Sequence, residues 1–377
     1  MPEENNAPSY DYTTFPRQFL AYRWFKPLLV ALLTLVFSLV FQMFVMGTGI
    51  AWFYAEGGGT SGDVSILGDL DNIGSSGYFT GPGALIAFGS VAMILPALAL
   101  AVLIVRDRPF SSYSSSRGGF NWGAFFKCLG VGAVVYAAIT AIQLIAFPDE
   151  NATGVIAFTA AGFVLLAILV PIQCVAEEYA YRGLIMQTFG AWSKLPAVAI
   201  VASALLFTVS HGYNLTGLAA IFVGAVIWGV LAWQTKGIEA TCAAHIMNNM
   251  IGVYTVGFGV STVSNDTDVV SLVVAILVDV VYAAAILLLG KKFNWFTSKG
   301  DGTAKANEAY RAKMAQKQAG QPERDCPPIP YTQQSQAEWQ MQGQPPIQYM
   351  QQPQAYGQMQ DQPTRPENGE LRAYRRI

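Results

Sequence analysis

The chain has 377 residues, 53% of them hydrophobic and only 12% charged, with a formal net charge of −2. Soluble domains carry roughly twice that charged fraction, so a solvated globule is excluded, and the near-neutral balance without a basic patch excludes a nucleic-acid binder. Apolar windows of about 20 residues, the length a helix needs to cross roughly 30 Å of hydrocarbon, make this an all-α, polytopic membrane protein whose first partner is the lipid bilayer.

Residues 1–23 are polar and begin acidic, with Arg17 and Arg23 near the end of the segment. Eight spans are expected after them, at Phe25–Phe53, Ala84–Val105, Phe125–Phe147, Val155–Cys174, Pro196–Ser210, Leu218–Thr235, Ala240–Val260 and Val269–Leu289. The first is too long for a cleaved signal peptide and is read as retained. Lys and Arg mark the cytoplasmic side of a membrane protein. Arg106, Arg108, Arg117 and Lys127 follow the second span, Lys194 the fourth, Lys236 the sixth, and Lys291 and Lys292 the eighth. None of the 22 Lys and Arg residues falls in Tyr54–Gly83, Pro148–Gly154, Gly212–Gly217 or Ser261–Asp268. Both termini are therefore expected in the cytoplasm, in a multi-pass protein of the plasma membrane. The first outer loop is glycine-rich and acidic, which suits a solvated connection. Cys128, Cys174, Cys242 and Cys326 show no CxxC spacing, so neither a disulfide framework nor a thiolate metal site is expected. From Gln321 onward Gln, Pro and Tyr dominate, as in "PPIQYMQQPQAYGQMQ". Such a composition cannot bury a core and reads as a disordered tail whose proline segments offer a partner-binding site.

Inside the apolar sequence stand a few groups that hydrocarbon does not tolerate without a reason. The two histidines of the chain, His211 in "FTVSH" and His245 in "HIMNN", are both there, as is the run "VAEEYAYRG". One buried histidine is more often structural than reactive; two beside a buried Glu-Glu-Arg ask for chemistry. Glu178 and Arg182 are four residues apart with the acid first, the favourable order for a helical salt bridge, so Arg182 neutralises Glu178 and leaves Glu177 without that partner. Phe207 with His211, and His245 with Asn249, share the same spacing and thus one helix face each. Lys194 is 17 residues from both Glu177 and His211, so a hairpin there brings carboxylate and imidazole level, roughly 25 Å from the turn. An intramembrane polar cavity nearer the cytoplasmic face is the expected result.

Two chemistries fit. A buried carboxylate assisted by a histidine takes a proton from water, which attacks a carbonyl, while an imidazole and an amide hold the oxyanion. Alternatively, Glu177, His211 and His245 supply three ligands for Zn²⁺ and leave a position for hydroxide. The expected cofactor is therefore none or Zn²⁺. There is no HExxH run.

The trio "EEYAYR", "FTVSH" and "HIMNN", in this order on successive apolar helices, resembles the CPBP intramembrane proteases, the CAAX-protease and bacteriocin-processing group also called Abi. The resemblance covers about Val155–Val260 and implies a protease core at 155–260; the apolar windows set that core within a transmembrane domain at 24–292, and the change of composition after Lys292 marks a cytoplasmic tail at 293–377. It implies an eight-helix bundle, Glu177 as the water-activating base helped by His211, His245 and Asn249 as oxyanion donors, and Glu178, Arg182 and Phe207 in support. The implied function is an intramembrane endopeptidase, in a group described as metalloproteases, that cleaves a peptide or membrane-anchored protein, lipidated ones included. The alternatives are a non-proteolytic immunity or scaffold protein and a proton-coupled transporter, the latter drawing on Asp279.

Overall fold

The computed structural model describes residues 10–58, 77–262, 267–298, 300 and 302–319. The Gln- and Pro-rich tail and most of the first outer loop lie outside the described residues. Helices occur where the apolar windows are: α1 Lys26–Ala55, α2 Gly81–Val105, α3 Trp122–Ala146, α4 Ala160–Ser193, α5 Pro196–Val209, α6 Leu215–Thr235, α7 Glu239–Gly257, α8 Val269–Lys292 and the polar α9 Thr303–Ala319. No strand occurs among the described residues. The chain is an integral membrane protein: α1, α2, α3, α4, α6 and α8 are each long and apolar enough to cross a bilayer.

The two remaining expected spans differ for physical reasons. With only 14 residues, α5 falls short of the roughly 20 that hydrocarbon requires. At 19 residues α7 has the length, but it carries Glu239, His245, Asn248 and Asn249. Glu239 and His245 are tolerated because Glu239 to Ile246 are buried against protein, while the exposed Asn248 and half-buried Asn249 line a cavity. A helix that meets its neighbours instead of lipid needs partners for its polar groups, not an apolar surface.

Packing follows from this. Helix α7 lies against α3, α4 and α6; α8 closes on α3 and α6; α1 and α2 pair with each other and reach the rest through α4. Pro171 sits inside α4, and the turn Tyr179–Met186 widens to π geometry directly after Glu178. π-turns inserted in α-helices often mark functional sites.

The end of the bundle that carries Lys and Arg is closed by protein. The segment from Tyr10 to Phe25 lies across it, with Tyr12 and Phe15 fully buried. The Tyr12 hydroxyl donates to the Tyr113 carbonyl at 2.7 Å, and Arg17 donates to the Ala191 carbonyl at 2.9 Å. Gly190 permits that approach, since a Cβ there would overlap the backbone of Thr13. The loop after α2 is equally buried and not merely charged: Asp107 and Arg108 pair at 2.6 Å beneath the Tyr113 ring, and Arg117 pairs with Glu239 at 2.6 Å. Burial pushes the Tyr113 phenol well above its ordinary value, so it stays a neutral donor to Asp107.

Candidate active site

Helices α4, α5, α6 and α7 meet around His245. Its Nδ1 lies 3.0 Å from Glu178 Oε1, and its Nε2 lies 3.3 Å from Glu177 Oε2. Two successive carboxylates of α4 thus bracket one imidazole of α7. Arg182, one turn after Glu178, donates to that same Oε1 at 2.8 Å and is 1% exposed. Helical spacing assigns Glu178 to Arg182 alone; His245 is its second partner. Because a carboxylate only accepts, the hydrogen facing Glu178 belongs to Nδ1, and Nε2 is the ring atom turned to Glu177. Glu177 Oε2 is buried and has no hydrogen-bond partner, its contact with Nε2 being close but not aligned as a bond.

Aromatic rings line the arginine. The guanidinium lies 4.8 Å from the Phe207 ring centroid and 5.6 Å from that of Trp228, while Trp228 and Phe207 stand 5.1 and 5.8 Å from the His245 ring. A desolvated cation gains from such faces. Phe207 therefore supports both Arg182 and His245, whereas its sequence spacing pointed only to His211, 4.6 Å away.

His211 lies just past the end of α5 instead of inside it. Its Nδ1 donates to the Phe207 carbonyl at 2.8 Å, one of the last carbonyls of the helix that lack an intrahelical partner. The ring thereby has a fixed tautomer with Nε2 as its free acceptor. Ser210, also on the Phe207 carbonyl, receives the Tyr181 hydroxyl at 3.0 Å, tying the two arms of the Lys194 hairpin together. Among the described contacts none joins His211 to Glu177. What the two histidines share is a cavity of about 490 Å³ whose wall includes His211, His245 and Asn249 but not Glu177, which keeps 13% exposure beside it. Asn249 donates to Gln173 Oε1 of α4 at 3.4 Å, so its amide is held one turn away from His245.

The alternative zinc set does not assemble. Among the described residues no three His, Cys, Asp or Glu side chains converge as metal ligands. His245 commits Nδ1 to Glu178, and His211 commits Nδ1 to the Phe207 carbonyl. As placed, Glu177, His211 and His245 do not form the three-ligand site that the ion needs.

Several site residues gave no local signal in the sequence. Gln173 reads as one polar residue in an apolar span and Trp228 as one more aromatic. Asp279 is conspicuous in the sequence as a buried acid, but its role emerges only from its contacts. It accepts from the Tyr136 hydroxyl at 2.6 Å and from Trp228 Nε1 at 3.0 Å, fixing the indole that faces His245. These contacts satisfy the carboxylate locally, which makes a carrier's relay unnecessary to explain it. Gly183, which ends "EEYAYRG", is required by approach: a Cβ would stand 2.9 Å from the Tyr113 carbonyl oxygen.

Residues 151–251 match the family model described as "Type II CAAX prenyl endopeptidase Rce1-like". A Bacillus subtilis (strain 168) protein, described as "Uncharacterized protein YyaK", is 33% identical over 171 residues, which is 41% of this chain and 55% of that protein. The chain thus spans about half the length of this curated relative. No solved structure matches. The segment that carries Glu177, His211, His245 and Asn249 is, as a unit, similar to the Rce1-like family of type II CAAX prenyl endopeptidases.

Proposed function

We propose that the protein is an intramembrane endopeptidase that hydrolyses a peptide bond of a membrane-associated protein or peptide. The observation that carries this reading is the His245 ring held between Glu177 and Glu178 at 3.3 and 3.0 Å at the edge of a cavity. Glu178, already neutralised by Arg182, orients the ring; Glu177, with no donor on its Oε2, is the base.

In this mechanism Glu177 accepts a proton from water as the water oxygen bonds to the scissile carbonyl carbon. The carbonyl oxygen gains the electron pair and is met by the Asn249 amide and by the Nε2–H of protonated His245. The proton on Glu177 then passes to the amide nitrogen as the C–N bond breaks, giving a carboxylate and an amine. His211, with Nδ1 committed to Phe207, offers Nε2 to the same water. Both termini are assigned to the cytoplasm of a plasma-membrane protein on the distribution of Lys and Arg.

The test is Glu177→Gln in purified protein incubated with membrane peptides, cleavage being read by mass. A loss of at least a hundredfold with unchanged melting temperature is expected, since a general base supplies about 10²- to 10⁴-fold. An unchanged rate removes Glu177 from the mechanism, and a wild type that cleaves nothing favours the scaffold reading.

A further inference from the structure

The cavity touches each of its four main helices over part of its length only, toward one end. On α7 its wall runs from His245 to Thr255, on α8 from Asp279 back to Ser271, and on α6 from Trp228 back to Gly217. On α3 it runs from Tyr136 to Leu144. At 1.5 Å per residue these are roughly 12 to 17 Å of helix, in every case weighted toward the end away from the segment Tyr10–Phe25. The wall continues into Tyr213, Ser261 and Thr267, in the loops at that same end. Among the described residues no Lys or Arg contributes to it. The opposite end is blocked by the buried Tyr12, Phe15 and Tyr113 and by two buried ion pairs.

We infer that the substrate segment enters the cavity from the membrane face opposite the one covered by the segment from Tyr10 to Phe25, and is a neutral to basic peptide stretch exposed at that face. Under the assigned orientation this is the extracytoplasmic face, so the substrate is an exported or outward-facing segment and not a tail presented in the cytoplasm. The wall suits such an occupant. Thr140, Gln143, Asn248 and Ser271 offer hydrogen bonds to a peptide backbone among apolar neighbours, and with no Lys or Arg among the described wall residues an acidic side chain meets neither a guanidinium nor an ammonium group there. The inference deepens the endopeptidase reading and rests on it for the word substrate, but the access route is testable without turnover.

Asn248 suits the test because it lies at the midpoint of α7, nine residues from either end, and lines the cavity. In a Cys326→Ser chain, whose remaining cysteines are buried, Asn248→Cys would be treated with a membrane-impermeant maleimide in sealed right-side-out and inverted vesicles. Gln143→Cys and Lys127→Cys, toward opposite ends of α3, report the two faces. Asn248→Cys is expected to react at least tenfold faster from the Gln143 side than from the Lys127 side, and an uncharged peptide added on the Gln143 side should slow it. Faster reaction from the Lys127 side, or equal reaction from both, overturns the inference, even in a protein that cleaves normally. A protein that cleaves no peptide yet labels from the Gln143 side sinks the endopeptidase reading and leaves the access route standing.

Discussion

Arg117 meets Glu239 at 2.6 Å near the closed end of the bundle, and Arg182 meets Glu178 at 2.8 Å in its interior. Both pairs are nearly excluded from solvent and both have aromatic rings against the guanidinium, Phe296 in one case and Phe207 with Trp228 in the other. The first pair is self-contained: Glu239 takes one donor from Arg117 and another from the Asn121 amide, and it stands at the N-terminus of α7, where a carboxylate is favoured. The second is over-supplied with acid. Glu177 follows the same backbone into the same place, has no arginine of its own and faces His245, which Glu178 already holds. Closed pairs of one acid and one base hold a structure together, and the surplus carboxylate is the group that the proposed mechanism uses as its base.

The largest way to break this contrast is Glu178→Gln. It strands Arg182 and frees His245 Nδ1 at once, and removing one partner of a buried pair costs about 3 to 5 kcal/mol. Thermal unfolding in detergent should show the loss. Full stability with a selective loss of turnover would reverse the roles given to Glu177 and Glu178. Glu239→Gln should be destabilising by a similar mechanism, about 3 kcal/mol, while leaving the cleavage rate per folded molecule unchanged. A specific catalytic defect there would erase the distinction between the two clusters.

Metal removal sharpens the comparison from another side. If Glu177 and the histidines activate water directly, a chelator leaves cleavage within about twofold; loss of activity that added Zn²⁺ restores would transfer water activation to the ion. At the closed end, Gly190→Ala should press a methyl group into the Thr13 backbone and weaken the seal of the N-terminal segment by about 1 to 3 kcal/mol, detectable as faster proteolysis before Phe25.

The smallest effect concerns pH. Burial acts to raise the Asp11 pKa, but hydrogen bonds from Thr13, Trp233 and Thr14 together outweigh it, so the folded value lies below the ordinary 3.8. A lowered carboxylate stabilises the folded form above its unfolded pKa. That contribution is lost as the pH falls from about 4 through the folded value. Docking of residues 10–25 should therefore loosen in acid, and Asp11→Asn should abolish that pH dependence.

Much of the site was legible because hydrocarbon makes polar residues conspicuous. Glu177, Glu178, Arg182, His211, His245 and Asn249 stood out against apolar neighbours, and i,i+4 spacing found the Glu178 and Arg182 pair. The spacing could not show that His245 crosses from another helix to sit between both glutamates. Nor could it show that α5 ends before His211, turning a helix-face residue into a cap. Gln173, Trp228 and Tyr136 matter only through partners 51 to 143 positions away in the chain.

By itself the sequence determined the membrane-embedded, all-helical class, the approximate positions of the helices and the candidate polar residues among them, because these depend on transfer of each residue from water to lipid and on a fixed helical period. Tertiary structure alone decided which acid meets which base, that α7 is an interior helix, that the loop after α2 is a buried seal, and toward which end of the helices the cavity lies. Those outcomes depend on contacts between segments far apart in the chain, where burial and hydrogen-bond satisfaction are properties of the packed bundle and of no single stretch within it.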